Sequence, residues 1–117
     1  MRRVLVIDDQ SDVRAMLSMV LRINQFEVVE AASGAAGLQA FDKSAFDVVI
    51  VDIFLPGSSG HDVINSVRER APAVPIVAIS GITALDFVAG TPVVCLQKPF
   101  RPNELMAAIE AACSASK

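Results

Sequence analysis

No apolar run in this chain approaches the length needed to cross a bilayer. The N-terminus, MRRVLVIDD, begins as a signal peptide would. Its apolar run ends at Asp8 after four residues, too short for the apolar core of such a leader. Basic residues form no stripe and the net charge is −3, so nothing supplies the row of phosphate contacts that direct nucleic-acid binding needs. There are only two cysteines, Cys95 and Cys113, expected as reduced thiols, with a disulfide the less favoured alternative. Linkers, internal repeats and low-complexity segments are also missing. The expectation is a soluble, cytoplasmic domain spanning residues 1–117, with a core covered on both sides. A composition of 53% hydrophobic and 20% charged residues excludes a disordered tail. Arg2 and Arg3 read as two exposed residues ahead of the first strand.

What the chain does contain is an alternation of short apolar runs and helical patterns. Residues 3–7 (RVLVI) are a continuous β-rich run. After them Val13, Met16, Leu17, Val20 and Leu21 follow the spacing of one helix face. Residues 27–31 (EVVEA) form a weaker strand, as an edge position allows. Ser33 caps a second helix carrying Leu38 and Phe41, which Gly34 and Gly37 weaken. Residues 47–51 (DVVIV) make a third strand that reads as buried on both faces. A Pro-Gly turn comes next, then a helix with Val63, Ile64 and Val67 inward, a fourth strand at residues 75–80 and a short helix at 82–89. The fifth strand is residues 93–96. Pro102, at a first helical position, opens a last helix with Leu105, Ile109 and Ala112 inward. Five β-α units with continuous apolar runs predict an α/β fold, a parallel sheet with helices on both faces. Such sheets bind ligands at the carboxyl ends of their strands.

The strand ends are polar in a consistent way. The first strand ends in Asp8 and Asp9, the third in Asp52, the fourth in Ser80, and the fifth runs into Lys98-Pro99. A carboxylate at the end of a buried strand is costly to desolvate unless something offsets its charge. Three carboxylates in one pocket would raise each other's pKa unless cations neutralise them, and one divalent ion with Lys98 does so. Oxygen-only ligands select a hard cation, Mg²⁺ retaining some of its waters. A carboxylate held against Mg²⁺, with a lysine and a hydroxyl nearby, is equipped to accept a phosphoryl group as the nucleophile.

Taken singly, these residues have plainer readings. An Asp after a strand is most often a turn residue or helix cap, and Asp8 and Asp9 also suit a helix N-terminus. Ser80 alone is a strand-end hydroxyl, and Lys98 alone a surface lysine. His61 reads as solvated, with no nucleophile at a recognisable spacing. Gly34 and Gly37 match neither a Walker pattern nor GxGxxG.

As a set, however, the residues and their order resemble the response-regulator receiver domain of two-component signalling, over nearly the whole chain. The matching pieces are Asp8-Asp9, "DIFLPGSSG" with Pro56 and Gly60 at the family's distances after Asp52, Ser80-Gly81, and "KPF" at residues 98–100. The resemblance implies a flavodoxin-like, doubly wound (βα)₅ sheet of strand order 2-1-3-4-5. It implies that Asp52 takes a phosphoryl group from a histidine kinase or phosphotransfer protein. Asp9, Asp8, Asp52 and the backbone carbonyl of Phe54 would hold Mg²⁺, Ser80 would hydrogen-bond the phosphoryl group, and Lys98 would pair with it. A cis bond before Pro99 would aim Lys98 inward. The protein would be a switch rather than an enzyme, with a downstream protein partner, as a monomer or phosphorylation-dependent dimer. It would have no membrane association.

Three positions depart from the family pattern. Cys95 stands where an aromatic side chain usually swings during switching. The segment between Ser80 and Lys98 is about one helical turn short, which alters the face that many relatives use for docking. That favours signalling through another surface, such as the first helix. Phe54 and Ile82 follow Asp52 and Ser80 by two residues, where bulk would exclude attacking water and lengthen the phosphoryl lifetime. Phe54 also argues against a phosphohydrolase, which needs a second acid there. The competing reading is a pseudo-receiver, a phosphorylation-independent interaction module.

Overall fold

Residues 4–7, a run of four apolar side chains, are fully buried in the first strand, β1 (Arg2–Ile7), of the computed structural model, which describes residues 2–55, 58–80 and 93–115. The chain continues through α1 (Ser11–Ile23), β2 (Phe26–Ala31), α2 (Gly34–Lys43) and β3 (Val48–Asp52). Two short strands, β4 (Phe54–Leu55) and β5 (Ser58–Ser59), precede α3 (Gly60–Arg70), β6 (Ile76–Ser80), β7 (Val94–Gln97) and α4 (Pro102–Ala115). The five long strands pair in parallel in the order β2-β1-β3-β6-β7. Numbered along the main sheet, this is the 2-1-3-4-5 order that the resemblance implied. The helix expected at residues 82–89 lies outside the described residues.

Alternation along buried strands gives each face of the sheet its own core. Leu5, Ile7, Val49, Val51, Ile76 and Ala78 face α2 and α3, joining Val63, Ile64 and Val67. Val4, Val6, Val48, Ile50, Val77 and Ile79 face α1 and α4, joining Leu17, Leu21, Leu105 and Ile109. Burying each such side chain contributes about 1.5–3 kcal/mol, so both helical layers are held by the same continuous strands. The inward residues expected for α1, α3 and α4 are the ones found at these interfaces.

Local signals also hold. The Ser33 hydroxyl accepts the Ala36 N–H at 3.1 Å and caps α2. Gly37, which weakens that helix on propensity, is there for packing: a Cβ at residue 37 would run into the Ile7 side chain. Cys95 and Cys113 are free thiols, and they pack against opposite faces of the sheet, Cys95 on the α2–α3 side and Cys113 on the α1–α4 side.

The structure differs from the sequence expectation at two places. Arg2 and Arg3 are not ahead of the first strand but inside it, opposite Phe26 and Glu27. Arg2 lies over the Phe26 ring, 4.6 Å from its centroid, and pairs with Glu110 at 2.9 Å. Arg3 pairs with Glu27 at 2.9 Å, and its backbone N–H donates to Asp47 Oδ2 at 2.7 Å. The partner strand β2, the residue ahead of β3 and the last helix supply these contacts, so the local sequence does not reveal them. The second difference follows Asp52. Two short strands that the sequence does not announce, β4 and β5, pair antiparallel, with Phe54 opposite Ser59 and Leu55 opposite Ser58, while the Pro-Gly turn expected at residues 56–57 lies outside the described residues.

Candidate functional site

Register brings the site together. β1 and β3 pair with Ile7 opposite Val51, so Asp8 and Asp52, which come next, emerge side by side at the carboxyl edge. β3 and β6 pair with Asp52 opposite Ile79, which places Ser80 one residue further along the adjoining strand. The Lys98 backbone N–H donates to the Ser80 carbonyl at 2.7 Å, and the Lys98–Pro99 peptide bond is cis, as expected. Gly60 closes the back of the site, its N–H donating to the Ile53 carbonyl.

Lys98 Nζ stands 3.1 Å from Asp52 Oδ2 and 3.8 Å from Asp8 Oδ2. Its other acceptor is Gln10 Oε1, at 3.2 Å. Asp8, Asp52 and Ser80 are buried, whereas Asp9 is open to solvent. Asp8 Oδ1 accepts the Gln10 backbone N–H at 2.9 Å. The Asp8 carbonyl accepts from Arg14 Nη1 at 2.7 Å, and Arg14 reaches across to Glu30 at 3.4 Å. Asp8 Oδ2 is buried and has no hydrogen-bond partner among the described residues. Burial pushes the Asp8 carboxyl above its ordinary value. The Gln10 N–H opposes the rise, the Asp52 charge adds to it, Lys98 counters it, and Asp9 adds a little more.

A buried carboxylate oxygen without a donor asks for a cation. Asp8, Asp9 and Asp52 each offer an oxygen, all within 4.8 Å of one another. Hard oxygen donors, two buried and one wet, suit a divalent ion that keeps part of its water shell, so the residues present fit Mg²⁺. Phe54 lies in β4, two residues past Asp52. Its side chain and all of Ile82 lie outside the described residues, as does Pro56.

Sequence reasoning named Asp8, Asp9, Asp52, Ser80 and Lys98. It missed Gln10 and Arg14. Arg14 is the one charged residue of α1 that is not exposed, placed three, four and seven residues before the buried Leu17, Ser18 and Leu21, a spacing legible in the sequence. Gln10 offered only its place directly after the acidic pair. Cys95, half-buried in β7 opposite Ala78, has its thiol pushed up by burial. Beside Lys98 an open apolar groove of about 460 Å³ is lined by Val13, Met16, Pro99 and Phe100. Among the described residues, no helix is long and apolar enough to cross a membrane.

Comparison with known proteins gives a consistent answer. The family described as response regulator receiver domain matches residues 4–110. The transcriptional regulatory protein PrrA of Mycobacterium tuberculosis is 37% identical over 113 residues, covering 93% of this chain and 48% of that protein. The chain spans about half the length of the curated relatives it matches. The Vibrio cholerae chemotaxis protein CheY4 superimposes with a TM-score of 0.89 at 29% identity, over 96% of this chain and 98% of that one. The Thermotoga maritima response regulator TrrA, solved in complex with Mg²⁺ and BeF, gives 0.87 at 26% identity over 96% and 99%.

Proposed function

Since the chain belongs to the family of response regulator receiver domains, which serve two-component signalling, we propose that Asp52 is its phosphoacceptor. The observation that carries this reading is the contact between Lys98 Nζ and Asp52 Oδ2 at 3.1 Å, beside the buried Asp8 oxygen that no described residue hydrogen-bonds. An Asp52 oxygen attacks the phosphorus of a phosphohistidine on a histidine kinase or phosphotransfer protein. As the P–O bond forms, the P–N bond breaks and its electron pair returns to the imidazole nitrogen, leaving an acyl phosphate on Asp52. Lys98 follows the charge from the carboxylate to the phosphoryl oxygens, and Ser80 donates its hydroxyl to one of them. Asp8, Asp9, Asp52 and the Phe54 carbonyl would hold Mg²⁺, which would supply positive charge at those oxygens.

The donor's imidazole must reach the buried end of β3, so the donor lies over the carboxyl edge and the groove beside Lys98. The product is a switch whose acyl phosphate hydrolyses slowly and whose phosphorylated form engages a downstream protein. The experiment is to add Mg²⁺ with acetyl phosphate, or with beryllofluoride, to wild type and Asp52→Asn. Only wild type should gain a phosphoryl group or bind the mimic. Reaction by both, or by neither, overturns the assignment.

A further inference from the structure

Residue 10 is the N-cap of α1, where a Ser, Thr, Asp or Asn side chain ordinarily accepts a backbone N–H of the first turn. The Gln10 side chain makes no such bond. It turns to Lys98 instead, with Oε1 3.2 Å from Nζ. Meanwhile the Gln10 backbone N–H donates to Asp8 Oδ1 at 2.9 Å. One residue therefore grips both an acid of the pocket and its lysine. Holding a long side chain on the surface costs rotamer entropy, so a glutamine fixed on an ammonium needs a compensating interaction. A hydrogen bond to a charged donor, stronger than a neutral one, provides it.

The geometry points to Gln10 as a positioning residue for Lys98 in phosphoryl transfer, an inference that rests on Asp52 being the phosphoacceptor. A lysine ammonium is a compact charge with three N–H donors on a flexible stem. At rest one donor is taken by Asp52 Oδ2 and another by Gln10 Oε1. Attack on phosphorus removes negative charge from the Asp52 carboxylate, and that anchor weakens during the step. The Gln10 anchor is neutral and does not change as the charge moves. It keeps the ammonium in the pocket, rather than in the water that its half-buried position would let it reach, while the phosphoryl oxygens take up the freed donors.

The test compares wild type with Gln10→Met, of similar length but without an acceptor, and Gln10→Glu, which keeps one. Because the side chain does not cap α1, neither change removes a helix contact. Two readouts are used: the Lys98 ammonium signal in proton–nitrogen correlation NMR of the protein alone, and phosphorylation by acetyl phosphate with Mg²⁺ followed by intact mass. Gln10→Met should lose the Lys98 signal to exchange with water. It should also react about 5- to 10-fold more slowly at saturating donor, with donor KM and Tm unchanged. Gln10→Glu, which keeps an acceptor but adds a charge, should keep the Lys98 signal. A Gln10→Met protein with the wild-type signal and rate overturns the positioning role and leaves the phosphoacceptor reading standing. Loss of the Lys98 signal in Gln10→Glu as well overturns it too, because an acceptor at residue 10 would then be irrelevant. Wild type that takes up no phosphoryl group overturns both.

Discussion

The Gly60 N–H donates to the Ile53 carbonyl at 2.8 Å, an approach that leaves no room for a side chain at residue 60. A Cβ there would sit 2.5 Å from Ile53 Cα and 2.7 Å from the Asp52 carbonyl oxygen. Both obstacles are backbone, so they cannot rotate aside as the tip of a side chain would. The contact ties the start of α3 to the strand end that carries the acceptor carboxylate. Gly60→Ala is expected to destabilise the fold by about 1–3 kcal/mol, read as a lower urea midpoint. It should also weaken Mg²⁺ binding by displacing Asp52. An unchanged midpoint would show that the strand end yields freely.

Asp8 should cost the metal-free protein stability at neutral pH. Its folded-state pKa is raised from 3.8, chiefly by burial, so the folded state binds the proton more tightly than the unfolded chain. Its favourable contribution is full below about the unfolded value of 3.8 and is lost as pH rises through the higher folded pKa. Asp8→Asn keeps an oxygen for the Gln10 N–H and removes the charge. At pH 7 without Mg²⁺ it should raise stability by about 1 kcal/mol, some 4 °C in Tm, with the gain vanishing in acid. Added Mg²⁺ should raise the Tm of wild type far more than that of the variant. A variant less stable than wild type at pH 7, in thermal scans with chelator, would contradict this.

Ser18 presents a different imbalance. It is 3% exposed on the inner side of α1, and its hydroxyl has no hydrogen-bond partner among the described residues. A buried polar group left unpaired is unfavourable, and alanine is the better helix former. Ser18→Ala should stabilise the protein by about 1 kcal/mol in urea denaturation. Loss of stability would mean that the hydroxyl is satisfied in solution.

Much of the site was legible because its chemistry is concentrated at strand ends. Asp8, Asp52, Ser80 and Lys98 each follow an apolar run, and a charge placed there must be used or neutralised. Gly60 was legible as part of a motif, but not its reason, since the obstacle is the backbone at residues 52 and 53. The β4–β5 pair was not legible at all. Two strands of two residues each carry no periodicity, and their pairing is set by how the chain leaves β3 and enters α3.

The sequence by itself determined the five long strands of the main sheet, the helices α1 to α4, the faces they bury, and the polar residues that end the central strands, since these are encoded within a few residues of each position. Only the tertiary structure decided that Asp8 is buried and Asp9 is not, that Lys98 rests on Asp52, and that Gln10 holds Lys98 in place of capping its own helix. Those relationships depend on parallel pairings between segments separated by whole helices. The register that joins them comes from packing on both faces of the sheet, not from any local pattern.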